Sequence, residues 1–168
     1  IIPENEILPG TNVITIEFMA GDQSLNRRDD FIYTLLVPDR ARTLFPCFDQ
    51  PNLKAKFILN LEVPETWEAI GNGSIDRTES QSTGRKKIHF RETEPISTYL
   101  FSFVTGKFDK VNGEKNGRPV TLYHRETDTV KISQCNDIMN EVFHALEWME
   151  EYTGTTYPFE KYDLIILP

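Results

Sequence analysis

The sequence predicts a mainly β fold, in which a β-rich domain over the first two thirds of the chain is followed by one amphipathic helix and a strand. Three observations lead to this prediction. Apolar and polar residues alternate with a period of two in several short runs, as they do in half-buried strands. Turn-forming Gly, Asn and Pro residues separate these runs. Near the C-terminus the apolar spacing changes to three and four, which is the period of a helix.

The first two predicted strands show the clearest alternation. In residues 12–19, Ile14, Ile16 and Phe18 share one face, and polar residues lie between them. The run 55–63 places most of its apolar residues on one face, with Ile58 as the exception on the other: Ala55, Phe57, Leu59, Leu61 and Val63. Each run is therefore expected to pack one side against a core.

Further strands are predicted along the chain. Residues 87–91 alternate with Ile88 and Phe90 facing inward, and we expect two more strands at 31–37 and 120–124.

The run 98–104 differs because both of its faces are largely apolar. Tyr99, Phe101 and Phe103 fall on one face, and Leu100 and Val104 on the other. A strand that is apolar on both faces is typical of the middle of a sheet covered on both sides.

Turn residues lie between these runs. Gly71-Asn72-Gly73 predicts a tight turn, since Asn and Gly tolerate positive φ. The triplet that starts at Asn72 and ends at Ser74 also matches a glycosylation sequon, but a turn explains the Asn-Gly pair without it. The polar stretch 80–87 is predicted to be a hairpin loop.

The character of the chain changes after residue 125. Apolar residues recur at steps of three or four over 130–152, which predicts an amphipathic helix, and Gly154 is a plausible stop signal. Another strand is predicted at 162–167. We therefore expect a domain boundary near residue 125.

Composition restricts the classes of function. The 168 residues carry a formal net charge of −8, and the sequence pI is about 4.9. Binding to nucleic acid or to an anionic membrane surface needs basic patches, so this balance argues against both. No apolar run approaches the ~18 residues of a membrane helix. The chain begins with Ile1 and not with Met, and its first ten residues lack the pattern of a signal peptide, so we expect it to be cut from something longer.

Familiar catalytic patterns are missing from the sequence. It has no HExxH, GxSxG or P-loop, so no catalytic residue and no cofactor are predicted in this chain. Cys47 and Cys135 are distant in sequence and have no CxxC or Cys/His cluster beside them, which favours two free thiols.

His144 and Glu147 are the strongest candidates for metal ligands. Their i, i+3 spacing on the predicted helix can hold a metal on one helical face. The further ligands that a metal needs are not identifiable, so a surface ion pair or an interhelical contact is the favoured interpretation. His89, on a polar strand face, and His124, at a strand end, are predicted to be structural or solvated.

One segment resembles a known family. Residues 41–57 have the sequence ARTLFPCFDQPNLKAKF, which closely resembles the ARxxFPCFDEPxxKAxF pattern in the N-terminal domain of M1-family zinc aminopeptidases. Two further segments agree in order and spacing. PISTYLFSF at 95–103 is similar to the family's PMSTYLxAF strand, and YPFEKYDL at 157–164 is similar to its YPLPKxDL strand. LPGTNV at 8–13 also resembles the family's lead-in to a strand.

The resemblance implies a two-part organisation. Residues 1–125 would form an antiparallel, saddle-like β-sandwich lacking its first strands, and 126–168 the truncated opening of a thermolysin-like catalytic domain. The parent would remove N-terminal residues from peptides at a zinc held by two His and a Glu. Those residues would lie C-terminal to Pro168, so zinc is expected in the parent and not in this chain. The implied partners are peptide substrates and the catalytic domain, whose active site this domain would support and cap.

The motif residues are predicted to be structural, despite being the most recognisable ones: Phe45, Pro46, Cys47, Phe48, Asp49 and Pro51. Pro46 and Pro51 bracket a rigid turn, and Asp49 can accept backbone N–H bonds within it. Phe45 and Phe48 are predicted to anchor the turn in the core.

Leu35 and Val37 are the candidate substrate-binding residues. In the family, a Gln-containing strand end before the Ala-Arg pair reaches toward the substrate, and counting back from Ala41 leads to these two aliphatic positions. They are predicted to form part of the wall of the first substrate subsite. The alternative is that they belong to the ordinary sandwich core.

A second interpretation of the whole chain stays open. It could be a β-sandwich binding module, or a non-catalytic M1-like scaffold, because a fold does not determine a function. A substrate-binding GxMEN loop and an HExxH motif in the parent beyond Pro168 distinguish the enzyme from the scaffold.

Overall fold

The computed structural model describes residues 8–167. Its strands are β1 (Leu25–Arg27), β2 (Phe31–Thr34), β3 (Lys54–Ala55), β4 (Asn60–Pro64), β5 (Glu68–Gly71), β6 (Ile75–Ser80), β7 (Arg85–Phe90), β8 (Ile96–Ser97), β9 (Phe103–Gly106), β10 (Asp109–Lys115), β11 (Arg118–His124) and β12 (Tyr162–Ile165). Its α-helices are α1 (Thr129–Ile132) and α2 (Cys135–Thr153), and short 3-10 helices cover Ala41–Thr43 and Thr98–Leu100.

The strands form several small sheets. Their orders are β1-β2-β9-β5, β4-β7-β6, β3-β8 and β10-β11-β12. These pairings are antiparallel, apart from the parallel pair formed by β11 and β12, which α1 and α2 connect in sequence. The prediction of a mainly β, antiparallel fold followed by a helix and a strand is confirmed.

Aromatic packing dominates one core cluster. Phe101, which is 8% exposed, stacks on Phe57 with ring centroids 4.7 Å apart and meets the edge of Phe45 at 5.3 Å. Aliphatic side chains from β1 and from the chain around the first 3-10 helix surround these rings, including Leu25 and Leu44. This cluster holds the 41–57 segment against β9.

A second cluster joins α2 to the last sheet. Met139 and Phe143 on α2 are buried against Val120 and Leu122 of β11. The cluster therefore contains residues from both sides of position 125. The boundary near that residue stays a prediction.

The predicted helix 130–152 is divided into two. Asp128 caps α1, since its carboxylate accepts a hydrogen bond from the N–H of Val130 at 2.9 Å. The Ser133 hydroxyl then donates to the Val130 carbonyl, and such local bonds compete with helix continuation. As predicted, α2 stops at Gly154, whose φ is 64°. Within residues 8–167 no helix is both long enough and apolar enough to cross a membrane.

The strand expected at residues 12–19 is wrong, because these residues form no strand. Ile14, Ile16 and Phe18 are 61%, 53% and 52% exposed. Alternation of side chains is necessary for a half-buried strand but not sufficient, since a strand also needs a neighbour for its backbone groups.

Two other predicted strands are interrupted. The run 55–63 contains the end of β3 and most of β4, with residues 56–59 between them outside any strand. The predicted inward face is retained at Phe57 and Val63. The run 98–104 begins with a 3-10 helix before β9 starts. As its two apolar faces predicted, β9 lies in the interior of its sheet, between β2 and β5.

The remaining predicted strands are present with altered bounds. Residues 87–91 overlap β7, in which Ile88 and Phe90 are both buried, and 162–167 overlap β12. Residues 31–37 are shortened to β2, and 120–124 lie within β11. The hairpin loop expected over 80–87 is shorter, because β6 extends to Ser80 and β7 starts at Arg85.

Positive φ occurs at a different Asn-Gly pair from the one predicted. Asn116 and Gly117, at the β10–β11 hairpin, have φ of 55° and 74°, as a two-residue hairpin turn requires. Asn72 and Gly73 are not among the positive-φ residues. Gly73 is required for another reason, because a Cβ there would lie 2.2 Å from the carbonyl oxygen of Arg91.

Candidate functional site

Asp49 organises the turn formed by the 41–57 segment. Its side chain is 5% exposed. One carboxylate oxygen accepts the backbone N–H of Arg42 at 3.1 Å, and the other accepts the Thr98 hydroxyl at 2.7 Å. The prediction that Asp49 accepts a backbone N–H bond is confirmed, and its carboxylate also joins the turn to the second 3-10 helix.

The Asp49 carboxyl ionises readily despite its burial. Burial by itself would raise its pKa, but hydrogen bonds from Thr98 and from the Arg42 backbone, with the Arg42 guanidinium nearby, hold the pKa below its usual value. The neighbouring Cys47 behaves in the opposite way, since burial and the Asp49 carboxylate raise the pKa of its thiol. Cys47 is therefore protonated at neutral pH and is not an activated nucleophile.

The two aromatic residues of the turn face in opposite directions. Phe45 packs into the core against Phe57 and Phe101, as predicted. Phe48 is 84% exposed, so the prediction that it anchors the turn in the core is wrong. Buried hydrogen bonds anchor this side of the turn instead, including the one that the Ser97 hydroxyl donates to the carbonyl of Pro51.

Leu35 and Val37 lie in the stretch that directly follows β2. The buried residues of this stretch fix its position. Thr34 bonds to the main chain of Phe103, and Leu36 is only 2% exposed. Leu35 and Val37 alternate with these residues and are 52% and 53% exposed. The alternative that assigned them to the sandwich core is therefore wrong, and both are accessible to a ligand or to another domain.

A cavity of about 260 Å³ lies between the end of the β5–β9 sheet and the segment that leads into β12. Apolar side chains form much of its wall, among them Ile96, Leu100 and Phe159. Lys161 and Asp163 add an ion pair, and the Lys161 ammonium also donates to the carbonyl of Gly71 at 2.8 Å. The cavity is thus lined by residues of the β1-β2-β9-β5 sheet and by residues of the chain after α2.

Sequence reasoning did not identify Lys161 or Asp163 as part of a site. Both lie in the YPFEKYDL segment, and their spacing of two around Tyr162 places them on one face of an extended chain. The sequence could therefore indicate that the two side chains lie on the same face, but not which surface of the protein they contact.

Asn72 has a structural role that the sequon did not suggest. Its amide nitrogen donates to the carbonyl of Leu100 at 3.0 Å, and its oxygen accepts the N–H of Ser102 at 2.7 Å. A glycan on this nitrogen would compete with the first of these bonds.

The helical His144–Glu147 pair does not come together as a binding site. His144 is exposed, and the Glu147 carboxylate is engaged by Lys115 at 2.9 Å and Asn116 at 3.2 Å. The contacts of Glu147 agree with the favoured interpretation of a surface ion pair. Among the side chains of residues 8–167, no three His, Cys, Asp or Glu lie close enough together to hold a metal ion. The described residues therefore do not fit a zinc site.

His89 and His124 are both largely buried. His124 is 4% exposed, and its Nδ1 has no hydrogen-bond partner within the described chain. The Nε2 of His89 lies 3.4 Å from a carboxylate oxygen of Glu79 without the geometry of a hydrogen bond. Their structural interpretation is supported, and neither residue is solvated.

The mainly β domain, followed by a helix and a strand, agrees with what the resemblance to M1 aminopeptidases implied. The sequence profile of the Peptidase M1 N-terminal domain family matches residues 17–100. The chain therefore belongs to this family.

Several curated relatives are aminopeptidases. Aminopeptidase M1-C of Oryza sativa subsp. japonica is 37% identical over 129 residues, covering 76% of this chain and 14% of the relative. Glutamyl aminopeptidase of Homo sapiens is 33% identical over 132 residues, covering 78% of this chain and 14% of the relative. Aminopeptidase M1-A of Oryza sativa subsp. japonica is 33% identical over an alignment that covers all of this chain. The chain spans between 14% and 20% of the length of these relatives.

Proposed function

We propose that this chain is the N-terminal domain, with the opening of the catalytic domain, of a zinc-dependent aminopeptidase that removes N-terminal residues from peptides. The observation that carries the proposal is membership of the M1 N-terminal domain family, together with relatives that are named aminopeptidases. The zinc ligands and the catalytic residues belong to the part of the parent beyond this chain. The 168-residue chain is inactive by itself, and its role is to support and cap the active site.

The chain's own contribution to substrate binding is the stretch that contains Leu35 and Val37. Leu36, buried between them, restrains their positions, and the Asp49-centred turn follows in the chain. A wall that discriminates among side chains must be held rigidly, because small displacements weaken selectivity. We place Leu35 and Val37 on the wall of the first substrate subsite on this basis.

Metal content tests the first part of the proposal. We expect the 168-residue chain, purified in the presence of zinc, to retain no stoichiometric zinc by elemental analysis and to release no product from fluorogenic aminoacyl substrates. The matched control is the parent enzyme in the same assays, where we expect one zinc per chain and peptidase activity. Tight one-to-one zinc in the short chain would contradict the assignment of the metal site to the parent's remainder. A parent with neither zinc nor activity would support the non-catalytic scaffold.

A substitution at Val37 tests the second part. In the parent enzyme, Val37→Gln is expected to change the relative kcat/KM for substrates with apolar and polar N-terminal side chains by about tenfold, the scale of discrimination in an apolar pocket. The measurement is kcat/KM over a panel of aminoacyl substrates. Leu53→Gln is the matched control, since Leu53 is an aliphatic residue with 45% exposure that has no assigned contact with substrate. An unchanged ratio in Val37→Gln would remove Val37 from the subsite.

A further inference from the structure

The sequence contains three Asn-Gly pairs, at residues 72–73, 112–113 and 116–117. Such a pair is open to a reaction within the chain, because glycine has no side chain to keep its backbone nitrogen away from the side-chain amide of the Asn before it. The reaction needs a backbone nitrogen that is not engaged in a hydrogen bond and an Asn side chain that is free to reorient. The three pairs differ in both respects.

The Asn72-Gly73 pair is held on both sides. The amide nitrogen of Asn72 donates to the carbonyl of Leu100 at 3.0 Å, and its oxygen accepts the N–H of Ser102 at 2.7 Å. Gly73 is buried, and it lies so close to the carbonyl of Arg91 that a Cβ has no room there. Reaction at this pair requires both hydrogen bonds to break, so the fold protects it.

The Asn112-Gly113 pair lies inside β10, where the glycine nitrogen is engaged. Gly113 is paired with Val120 of β11, and the next pair toward the hairpin turn is Glu114 with Pro119. Hydrogen-bonded and non-hydrogen-bonded pairs alternate along an antiparallel ladder, and Pro119 has no N–H to donate. The pair that contains Pro119 is thus the non-hydrogen-bonded one. The N–H of Gly113 is therefore used in the ladder, and this pair is protected as well.

The Asn116-Gly117 pair is exposed at the tip of the β10–β11 hairpin. Both residues have positive φ and lie between the last ladder pair, Lys115 and Arg118, so they take no part in the sheet. Among residues 8–167, no acceptor is found for the N–H of Gly117, and the Asn116 side chain makes a single hydrogen bond, from Nδ2 to a Glu147 carboxylate oxygen at 3.2 Å. The side chain of Glu147 is itself 43% exposed. This pair therefore meets both requirements.

We propose that Asn116 is a site of spontaneous deamidation. The backbone nitrogen of Gly117 attacks Cγ of Asn116, the bond from Cγ to Nδ2 breaks, and the NH₂ group leaves as ammonia with the proton of the attacking nitrogen. Water then opens the cyclic imide. Cleavage of the bond from the nitrogen to Cγ gives an aspartyl residue. Cleavage of the bond from the nitrogen to the main-chain carbonyl carbon gives an isoaspartyl residue, in which the backbone runs through the side chain.

Deamidation at this position acts on the contact between the hairpin and α2. Glu147 of α2 accepts hydrogen bonds from Lys115 at 2.9 Å and from Asn116. The product replaces the Asn116 donor with a carboxylate, which repels the Glu147 carboxylate and competes with it for the Lys115 ammonium. The isoaspartyl form also lengthens the backbone of a two-residue turn, whose geometry the flanking strands require. The modification therefore weakens the attachment of the hairpin tip to α2.

Peptide mapping by mass spectrometry of the 168-residue chain, incubated at neutral pH and physiological temperature, tests the site. Each rate is divided by the rate of the same pair in the chain unfolded in urea, which removes the effect of neighbouring residues. We expect this ratio to be at least about tenfold higher at Asn116 than at Asn72 or Asn112, because those two pairs react only after their hydrogen bonds open. Equal ratios at the three positions, or no product at Asn116 in the native chain, overturn the proposal.

A double-mutant cycle tests the consequence of the modification. Asn116→Asp is expected to lower the midpoint of thermal unfolding, and this loss is expected to be largely absent in the Glu147→Gln background, where no carboxylate remains to be repelled. Asn112→Asp is the matched control, since it adds the same charge at another exposed Asn of β10, and it is expected to show no coupling to Glu147→Gln. A loss in Asn116→Asp that is equal in both backgrounds would show that the modified turn does not act through α2.

Discussion

Phe101→Ala is expected to lower the free energy of unfolding by about 3–5 kcal/mol, the usual cost of removing a large buried aromatic side chain. Phe101 is 8% exposed and contacts both Phe45 and Phe57 through its ring. The substitution therefore leaves a cavity at the centre of the aromatic cluster, and the neighbouring side chains are not large enough to fill it. Urea unfolding followed by tryptophan fluorescence measures the loss.

Phe48→Ala is the matched control for this experiment. It removes the same side chain from the same motif-bearing domain, but Phe48 is 84% exposed. A surface substitution of this kind is expected to change stability by no more than about 0.5 kcal/mol. A loss at Phe48 comparable to that at Phe101 would contradict the structure's placement of Phe48 outside the core.

Asp49→Asn is expected to lower the free energy of unfolding by about 2 kcal/mol, because it leaves a buried polar group without a suitable partner. Each Asp49 oxygen accepts a hydrogen bond, one from the Arg42 N–H and one from the Thr98 hydroxyl. An amide has a single acceptor, so its NH₂ group must face one of these donors. The control is Asp39→Asn, since Asp39 also pairs with Arg42 but its side chain is 55% exposed. A similar loss at both positions would show that contact with Arg42, and not the buried turn, matters.

The pH dependence of stability provides an independent test of Asp49. Its pKa in the folded chain is lowered, so its contribution is fully present above the unfolded pKa of about 4. That contribution is lost as the pH falls through the lower folded pKa. The difference in unfolding free energy between the native chain and Asp49→Asn is therefore expected to shrink on acidification. A difference that grows at low pH would contradict the depressed pKa.

Much of the fold follows from local pattern. The strands at β7, β11 and β12 and the end of α2 at Gly154 were predictable, because alternation, helical spacing and a left-handed glycine act over a few residues. β6 was not predicted, since its six residues are all exposed and carry no apolar alternation. A strand of this kind exists because β7 supplies hydrogen bonds to it, and that information is not local.

The candidate site was predictable only in part. The Asp49 turn could be inferred because Pro and Asp impose turn geometry directly. The direction of Phe48 could not, since the turn presents one aromatic residue to the core and the next to solvent. The cavity beside Lys161 could not be inferred either, because it forms between segments that are about 90 residues apart in sequence, as in the Lys161–Gly71 bond.

The mainly β character, the helix near the C-terminus and membership of the M1 family could all be inferred from the sequence, because these depend on residue order within short segments. Which of the alternating segments acquire a neighbouring strand became clear only in the folded chain. Residues 12–19 and 87–91 share the same pattern, yet only the second forms a strand, as part of β7. The folded chain also determines that Leu35 and Val37 face outward while Leu36 is buried. Pairing and exposure depend on which distant surface reaches each residue, and only the folded chain establishes those contacts.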